Sequence, residues 1–292
     1  MENLIPVAIT LLVRRMRGAS QSFTVRGDDG HFYVAKFQGN PQGHRTLINE
    51  WIGAALLSRL GVNTPEVRLL RLPSNLDTKD FFFHTPGGRQ HIAGDLHLGS
   101  LYPVNPETTA LYDWLPERLI ETLLVNGSDF ITTFIFDCWA GHSDRRQAVF
   151  HRNKRLGGVE ASIIDHGQLF GGTRWKLLSS PVISRCQFPA VYRGGLDLLT
   201  LARKAADTIQ SWTVSDLNEL LAQIPLEWLD DGAPDAFGYM AEQLISRSEY
   251  VFVDIPKWLR LLKSYFNSGP IGRHAGSRPD NGAAVWTLSR SH

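Results

Sequence analysis

The chain has 292 residues, 43% of them hydrophobic, and balances 30 Lys and Arg against 29 Asp and Glu for a net charge of +1. That is enough for two lobes of roughly 100–200 residues each, and the charge balance speaks against a dedicated nucleic-acid binder, which carries a basic excess or stripe. Two cysteines, Cys138 and Cys186, lie far apart without metal-ligand spacing. They speak against a disulfide framework and for a reducing cytoplasm.

From the N-terminus, residues 4–13 form an apolar run followed by Arg14, Arg15 and Arg17. The run is too short to cross a bilayer, which takes about 20 apolar residues, and its charges follow the apolar run, where a signal peptide has them before it. It is read as a first strand, and the lack of any longer apolar run implies a soluble protein. Residues 22–26 and 32–37 are β-rich and joined by Gly27-Asp28-Asp29-Gly30, a hairpin signal. The period then changes: Ile48, Trp51, Ile52, Ala55, Leu56 and Leu60 fall at helical spacings. Gly61 provides the stop, Pro65 prevents continuation, and residues 65–72 read as another strand. The Phe81–Phe83 run is a core strand.

Residues 87–106, rich in Gly, Pro and His, read as a hinge, with Gly99 and Tyr102 at the lobe connection. Beyond it the pattern predicts helices over 111–125, 128–140, 197–210, 215–223 and 237–262. Ser128 or Asp129 is the expected cap of the second. Its two adjacent stripes, Phe130, Phe134, Cys138 and Ile131, Ile135, Trp139, imply a central, buried helix. Two short strands, 148–152 and 161–165, are joined by the hairpin-like stretch 153–160. From Ser268 onward the composition predicts a disordered tail.

Phosphoryl transfer from ATP needs a cation on the phosphates, carboxylates for magnesium, and a carboxylate that orients the attacking hydroxyl. Lys36 ends a predicted strand, and Glu50 follows fourteen residues later on the amphipathic helix. The pair fits a phosphate-binding lysine fixed by a helix glutamate, and equally a surface lysine and a solvated glutamate. Asp144 sits in the loop leaving the buried helix, Gln147 just before a strand, and Asp165 at the end of the next strand. The hairpin would bring all three to one end of the sheet. Asp165 and Gln147 supply oxygen ligands that magnesium accepts alongside waters and phosphate oxygens, leaving Asp144 to orient the hydroxyl. A second reading takes His142, Asp144, Asp165 and His166 as a metal-dependent phosphohydrolase site, although no His-x-x-x-His helix accompanies them.

Residues 33–37 (YVAKF), 49–67 (NEWIGAALLSRLGVNTPEV), 136–152 (FDCWAGHSDRRQAVFHR) and 162–170 (SIIDHGQLF) together resemble the HipA-like kinase family. The later IPLEWLDD and the helix reaching Arg247 strengthen the likeness, which covers residues 15–255. The resemblance implies an α+β, two-lobed protein-kinase-like fold: a small β-rich N-lobe with one helix (1–98), a larger, mainly helical C-lobe (99–267), then the tail (268–292). It implies ATP and Mg2+ between the lobes, and a protein or small-molecule phosphoryl acceptor. By position, Lys36 would contact the ATP phosphates and Glu50 would hold it. Asp144 would be the catalytic aspartate, and Asp165 the metal-binding one. The loop RGASQS, with Gly18 and Ser20, would offer backbone N–H groups to the phosphates. Two departures mark the chain: Gln147 stands where the family commonly has asparagine, and the phosphate loop has one glycine where classical protein kinases carry three. A pseudokinase that binds nucleotide without transferring it is therefore an alternative.

Overall fold

Inward-facing apolar residues curl the first strands into a closed barrel. In the computed structural model, which describes residues 5–16, 18, 20–43, 45–74, 76–77, 79–177, 188–193, 195–267 and 285–286, strands β1 (Val7–Arg15), β2 (Phe23–Gly27), β3 (Phe32–Lys36), β4 (Val67–Arg71) and β7 (Leu96–Leu101) close in the order β1-β2-β3-β7-β4. All neighbours are antiparallel except β1 and β4, whose parallel pair completes the ring. Ile9, Phe23, Val25, Phe37, Leu70, Phe81 and Phe83 fill it. The β2–β3 turn is as expected, with Gly30 at φ 82°. Strands β5 (Phe82–Thr85) and β6 (Gly88–His91) form a separate hairpin.

Helix α1 (Arg45–Arg59) buries Ile48, Trp51, Ile52 and Leu56 as its period predicts. Gly61, at φ 75°, follows as the expected stop. The stretch read as a hinge, 87–106, instead contains β6 and β7. Strand β7 lies between β3 and β4, and its Gly99 is required there, because a Cβ would come 2.6 Å from the Leu70 side chain.

Helix α3 (Ser128–Ala140) is central, with Phe130, Ile131, Phe134, Ile135, Cys138 and Trp139 all buried. Its expected side-chain cap is absent: Gly127 takes the N-cap position, and Asp129 accepts instead from the Asn63 N–H at 3.0 Å and the Asn126 amide at 2.8 Å. The helix predicted over 111–125 is also corrected. Leu111–Tyr112 form a short strand, β8, and α2 (Glu117–Leu123) starts only after Pro116. Proline's fixed φ and missing N–H suit a helix start and not its interior.

Strands β9 (Gln147–Asn153) and β10 (Gly158–Ile164) pair in full register beside β8. Beyond them come α4 (Pro189–Arg193), α5 (Leu198–Gln210), capped by Asp197, and α6 (Val214–Leu221), with a Thr213–Asp216 capping box. A 3-10 turn at Leu226–Trp228 follows. The single helix predicted over 237–262 is two, α7 (Ala233–Ser248) and α8 (Val251–Asn267). The predicted tail, 268–292, lies outside the described residues except for Val285–Trp286, which pair with β8 as β11. Among the described residues no helix is long and apolar enough to cross a membrane. Cys138 is a buried thiol; Cys186 lies outside the described residues.

Candidate active site

Lys36 is the last residue of β3, across from Leu98 of β7. It is only 7% exposed, and its ammonium pairs with the carboxylate of Glu50 on α1, itself 2% exposed. The same ammonium lies 3.0 Å from Oδ1 of Asp165. Burial alone would drive Lys36 toward its neutral form, but Glu50 and Asp165 outweigh it and raise its pKa above the ordinary value. The Lys36 charge in turn holds the Asp165 carboxyl well below the usual carboxylate range, against the cost of burial.

Asp165 is the first residue after β10 and has φ 62°, left-handed and uncommon outside glycine. Its surroundings impose that backbone. Arg146 donates to the carbonyls of Ile164 and Asp165, both at 3.2 Å, and to His166 Nδ1 at 2.8 Å. The guanidinium is itself anchored by Asp137 of α3. Gln147 sits opposite Ile164 in the hairpin register, and its Nε2 donates to Asp165 Oδ2 at 2.7 Å. The hairpin thus brings Gln147 and Asp165 together as the sequence suggests.

Asp144 lies in the loop after α3, which ends on Gly141 in the left-handed conformation. The loop is held by Ser143, whose N–H and hydroxyl both donate to Gln168 O at 2.9 and 3.0 Å. His142 Nδ1 reaches the Asp144 carbonyl at 2.9 Å. The Asp144 side chain is exposed and accepts the Arg145 N–H at 2.7 Å. Its backbone is therefore fixed while its carboxylate faces open space.

Lys36, Glu50, Asp144, Gln147 and Asp165 border one cavity of about 700 Å³. Val34, Val67, Leu101, Leu111, Val149 and Ile164 give it an apolar wall, while Lys36, Asp144, Gln147 and Asp165 supply a charged and polar part. An apolar slot beside converging charges suits a flat ring that carries phosphates. Gly18 and Ser20 line the same cavity. Gly18, at φ 125°, is tolerated because it has no side chain; the Ser20 hydroxyl lies 2.9 Å from that of Ser22. Tyr102, assigned to the connection, also borders the cavity. Asp165 and Gln147 offer the oxygen donors a hard divalent cation takes, one carboxylate and one side-chain amide.

The histidines serve a different end from metal binding. His166 is fully enclosed: Nδ1 accepts from Arg146, and Nε2 lies 2.9 Å from the Thr64 hydroxyl, which itself donates to Ile163 O. His142 has Nδ1 2.9 Å from the Asp144 carbonyl and Nε2 3.4 Å from that of Asp165, and the neutral ring donates to one of the two. Desolvation, helped by Arg146, lowers the His142 pKa to about 4 and that of His166 well below its ordinary value, so both are neutral at pH 7. Neither points a lone pair into the cavity, which argues against the hydrolase reading. Among the described residues no group of three or more His, Cys, Asp or Glu is placed to hold a metal ion.

Sequence reasoning missed Arg146 and Asn49. Arg146 sits in the Arg145-Arg146 pair, and nothing in its sequence neighbourhood distinguishes the buried arginine from the exposed one. Asn49, fully buried on α1, donates to the carbonyls of Gly167 and Leu169 at 2.9 and 3.1 Å. A polar residue on the helix's apolar side was its one signal.

A family model described as HipA-like kinase matches residues 9–243. Among solved structures, a Helicobacter pylori proinflammatory kinase, CtkA, superposes with a TM-score of 0.56 at 12% identity, covering 86% of this chain and 99% of that one. A HipA from Shewanella oneidensis MR-1, solved with HipB and operator DNA, gives 0.48 at 12% identity over 85% of this chain and 67% of that one. A Golgi casein kinase gives 0.45 at 15% identity over 86% and 75%. The first of these likenesses shows a shared fold. No curated protein matches the sequence.

Proposed function

The chain belongs to the HipA-like kinase family, and from that premise we propose that it transfers the γ-phosphoryl group of ATP, with Mg2+, to a hydroxyl of a protein or small molecule. The observation that carries this reading is the buried Lys36, paired at once with Glu50 and Asp165, on the same cavity as an exposed Asp144. Phosphoryl transfer asks little covalent chemistry of the protein and depends on positioning and charge stabilisation. Lys36, kept charged by two carboxylates, holds the phosphates in place. Asp165 and Gln147 would hold the divalent cation, which when bound neutralises charge developing on the phosphate oxygens. Asp144 accepts or orients the proton of the attacking hydroxyl, a role suited to a carboxylate on a rigid loop with an open side chain. The backbone N–H groups around Gly18 and Ser20 would cover the phosphates.

The fold divides, on this reading, into a sheet lobe and a helical lobe with nucleotide between them. The pseudokinase alternative keeps the cavity but not the transfer; the intact set of Lys36, Glu50, Asp144 and Asp165 favours an active enzyme. Incubation with ATP labelled at the γ-phosphate, comparing wild type with Asp144→Ala and Asp165→Ala, tests it. Label transfer or ATP turnover that vanishes in both variants is expected. A melting temperature raised by MgATP without any turnover would instead identify a binding module. The absence of both turnover and a nucleotide-dependent shift would overturn the kinase reading.

A further inference from the structure

The Asp165 segment is fastened to α1 by more than the Lys36–Glu50 pair. Asn49, the residue before Glu50, is completely buried. Its amide nitrogen faces three carbonyls of the segment, Gly167, Leu169 and Gly172, at 2.9, 3.1 and 3.5 Å. Its carbonyl oxygen accepts the indole N–H of Trp175 at 2.7 Å. Gly167 is gripped from both sides, since Glu50 accepts its N–H at 2.8 Å while Asn49 takes its carbonyl. The fit leaves no room for a side chain: a Cβ on Gly167 would lie 2.6 Å from the Thr46 methyl. One helical turn before Asn49, the Arg45 guanidinium lies 4.2 Å from the Trp175 ring centre and donates twice to Asp230 at 3.0 Å. The far edge of Trp175 meets Phe237 of α7.

A buried amide costs stability unless its donors and acceptor are used, and every partner of this one belongs to the loop that carries Asp165. Only an amide side chain offers donors to the carbonyls and an acceptor to the indole at once. A carboxylate there would confront three carbonyls with negative charge.

We infer that Asn49 is a positioning residue, whose amide locks the segment following Asp165 onto α1 so that Lys36, Glu50 and Asp165 are assembled before nucleotide arrives. The inference rests on the reading of those three as the phosphate- and metal-handling groups. It makes the alignment of helix and metal-binding aspartate a built-in property of the fold, held by neutral hydrogen bonds.

The test compares wild type, Asn49→Ala and Trp175→Phe by hydrogen–deuterium exchange, by ATP turnover against Mg2+ concentration, and by thermal melting. For Asn49→Ala, exchange in 165–175 should rise while that of the β9–β10 hairpin stays at the wild-type level. The Mg2+ concentration giving half-maximal turnover should rise about tenfold and kcat should fall, the size of effect that outer partners of metal ligands exert. Trp175→Phe removes the indole donor while keeping an aromatic ring, though a smaller one, beside Arg45 and Phe237, and should shift the Mg2+ requirement the same way by less, with the melting temperature within a few degrees of wild type. Variants that melt earlier yet keep the wild-type exchange contrast and Mg2+ requirement would overturn the inference and leave Asn49 a packing residue. If the wild type shows no turnover at all, the kinase reading fails, while the exchange contrast still decides whether Asn49 holds the segment.

Discussion

Lys36 carries its charge almost wholly buried at the edge of the cavity, and its neighbours make that tolerable. Taking an ammonium out of water costs several kcal/mol, which close, well-bonded partners offset. Glu50 and Asp165 do this, and Glu50 is further satisfied by the Gly167 N–H. Removing one partner of such a pair costs about 3–5 kcal/mol, since the other is left buried and uncompensated. Lys36→Met should therefore abolish transfer and also destabilise the fold by about 3 kcal/mol. Adding Glu50→Gln, which keeps an oxygen for the Gly167 N–H without the charge, should recover most of that stability and none of the activity. Urea unfolding of the two variants decides the point; equal stability would mean that the Lys36 charge is not what makes Glu50 tolerable. Asp144 makes a contrast: exposed and bonded to one neighbouring N–H, it should become Asn with unchanged melting temperature. If Asp144 accepts the proton as proposed, that change should cut kcat by about 100-fold or more.

At the scale of elements, the site depends on how closely α1 approaches the Asp165 segment, and Gly53 sets that distance. A Cβ at Gly53 would meet the Leu169 side chain and lie 2.7 Å from His166 Cβ. Helix propensity alone favours alanine over glycine by about 1 kcal/mol in a helix interior. Overpacking of a closed interface costs about 1–3 kcal/mol, so the clash should win. Gly53→Ala should lower the melting temperature and reduce turnover together; a stabilised, fully active variant would show that helix and segment can separate without loss. Such a role is invisible in sequence, where a glycine in a helical run reads only as a tolerated weakness. The elements that were legible carried their own periodicity or stops: the β2–β3 hairpin, α1 with its end at Gly61, and the doubly striped α3. Lys36 at a strand end, Glu50 within the helix that follows, and Asp144, Gln147 and Asp165 around the β9–β10 hairpin were legible from their order and from the family resemblance, and all five border one cavity. Strand β7 was not, since Gly99 and His97 look like loop residues until a barrel closes around them. The break between α7 and α8 was equally hidden. It falls at Glu249–Tyr250, and Pro256 lies inside the second helix, in its second turn.

For the whole molecule, stability should fall as the solution is acidified from neutrality, and His97 allows one source to be isolated. It is fully buried on β7, with Nδ1 accepting the Gln38 N–H at 3.2 Å and Nε2 without a hydrogen-bond partner among the described residues. Desolvation lowers its pKa from 6.5 to about 4. Between those values the unfolded chain takes up a proton that the folded chain refuses, so the contribution of His97 is complete above pH 6.5 and is lost as pH falls toward 4. One such proton is worth about 1.4 kcal/mol per pH unit. Of the charged groups of the site, the depressed Asp165 contributes above the ordinary carboxylate range and loses that only below it, and the raised Lys36 contributes below the ordinary lysine range and loses that only above it, whereas burial raises Glu50 above the ordinary carboxylate value, toward the window in which His97 acts. Asp129, raised by burial, works against the histidine, so the informative quantity is a difference between variants and not the slope of one protein. His97→Asn keeps an acceptor for the Gln38 N–H and removes the titration. Its unfolding free energy should fall less steeply between pH 6.5 and 4.5 than that of wild type, by about 1.4 kcal/mol per pH unit. Parallel pH profiles for the two proteins would mean that His97 is protonated in the fold, and that water or a carboxylate reaches the barrel interior beside it.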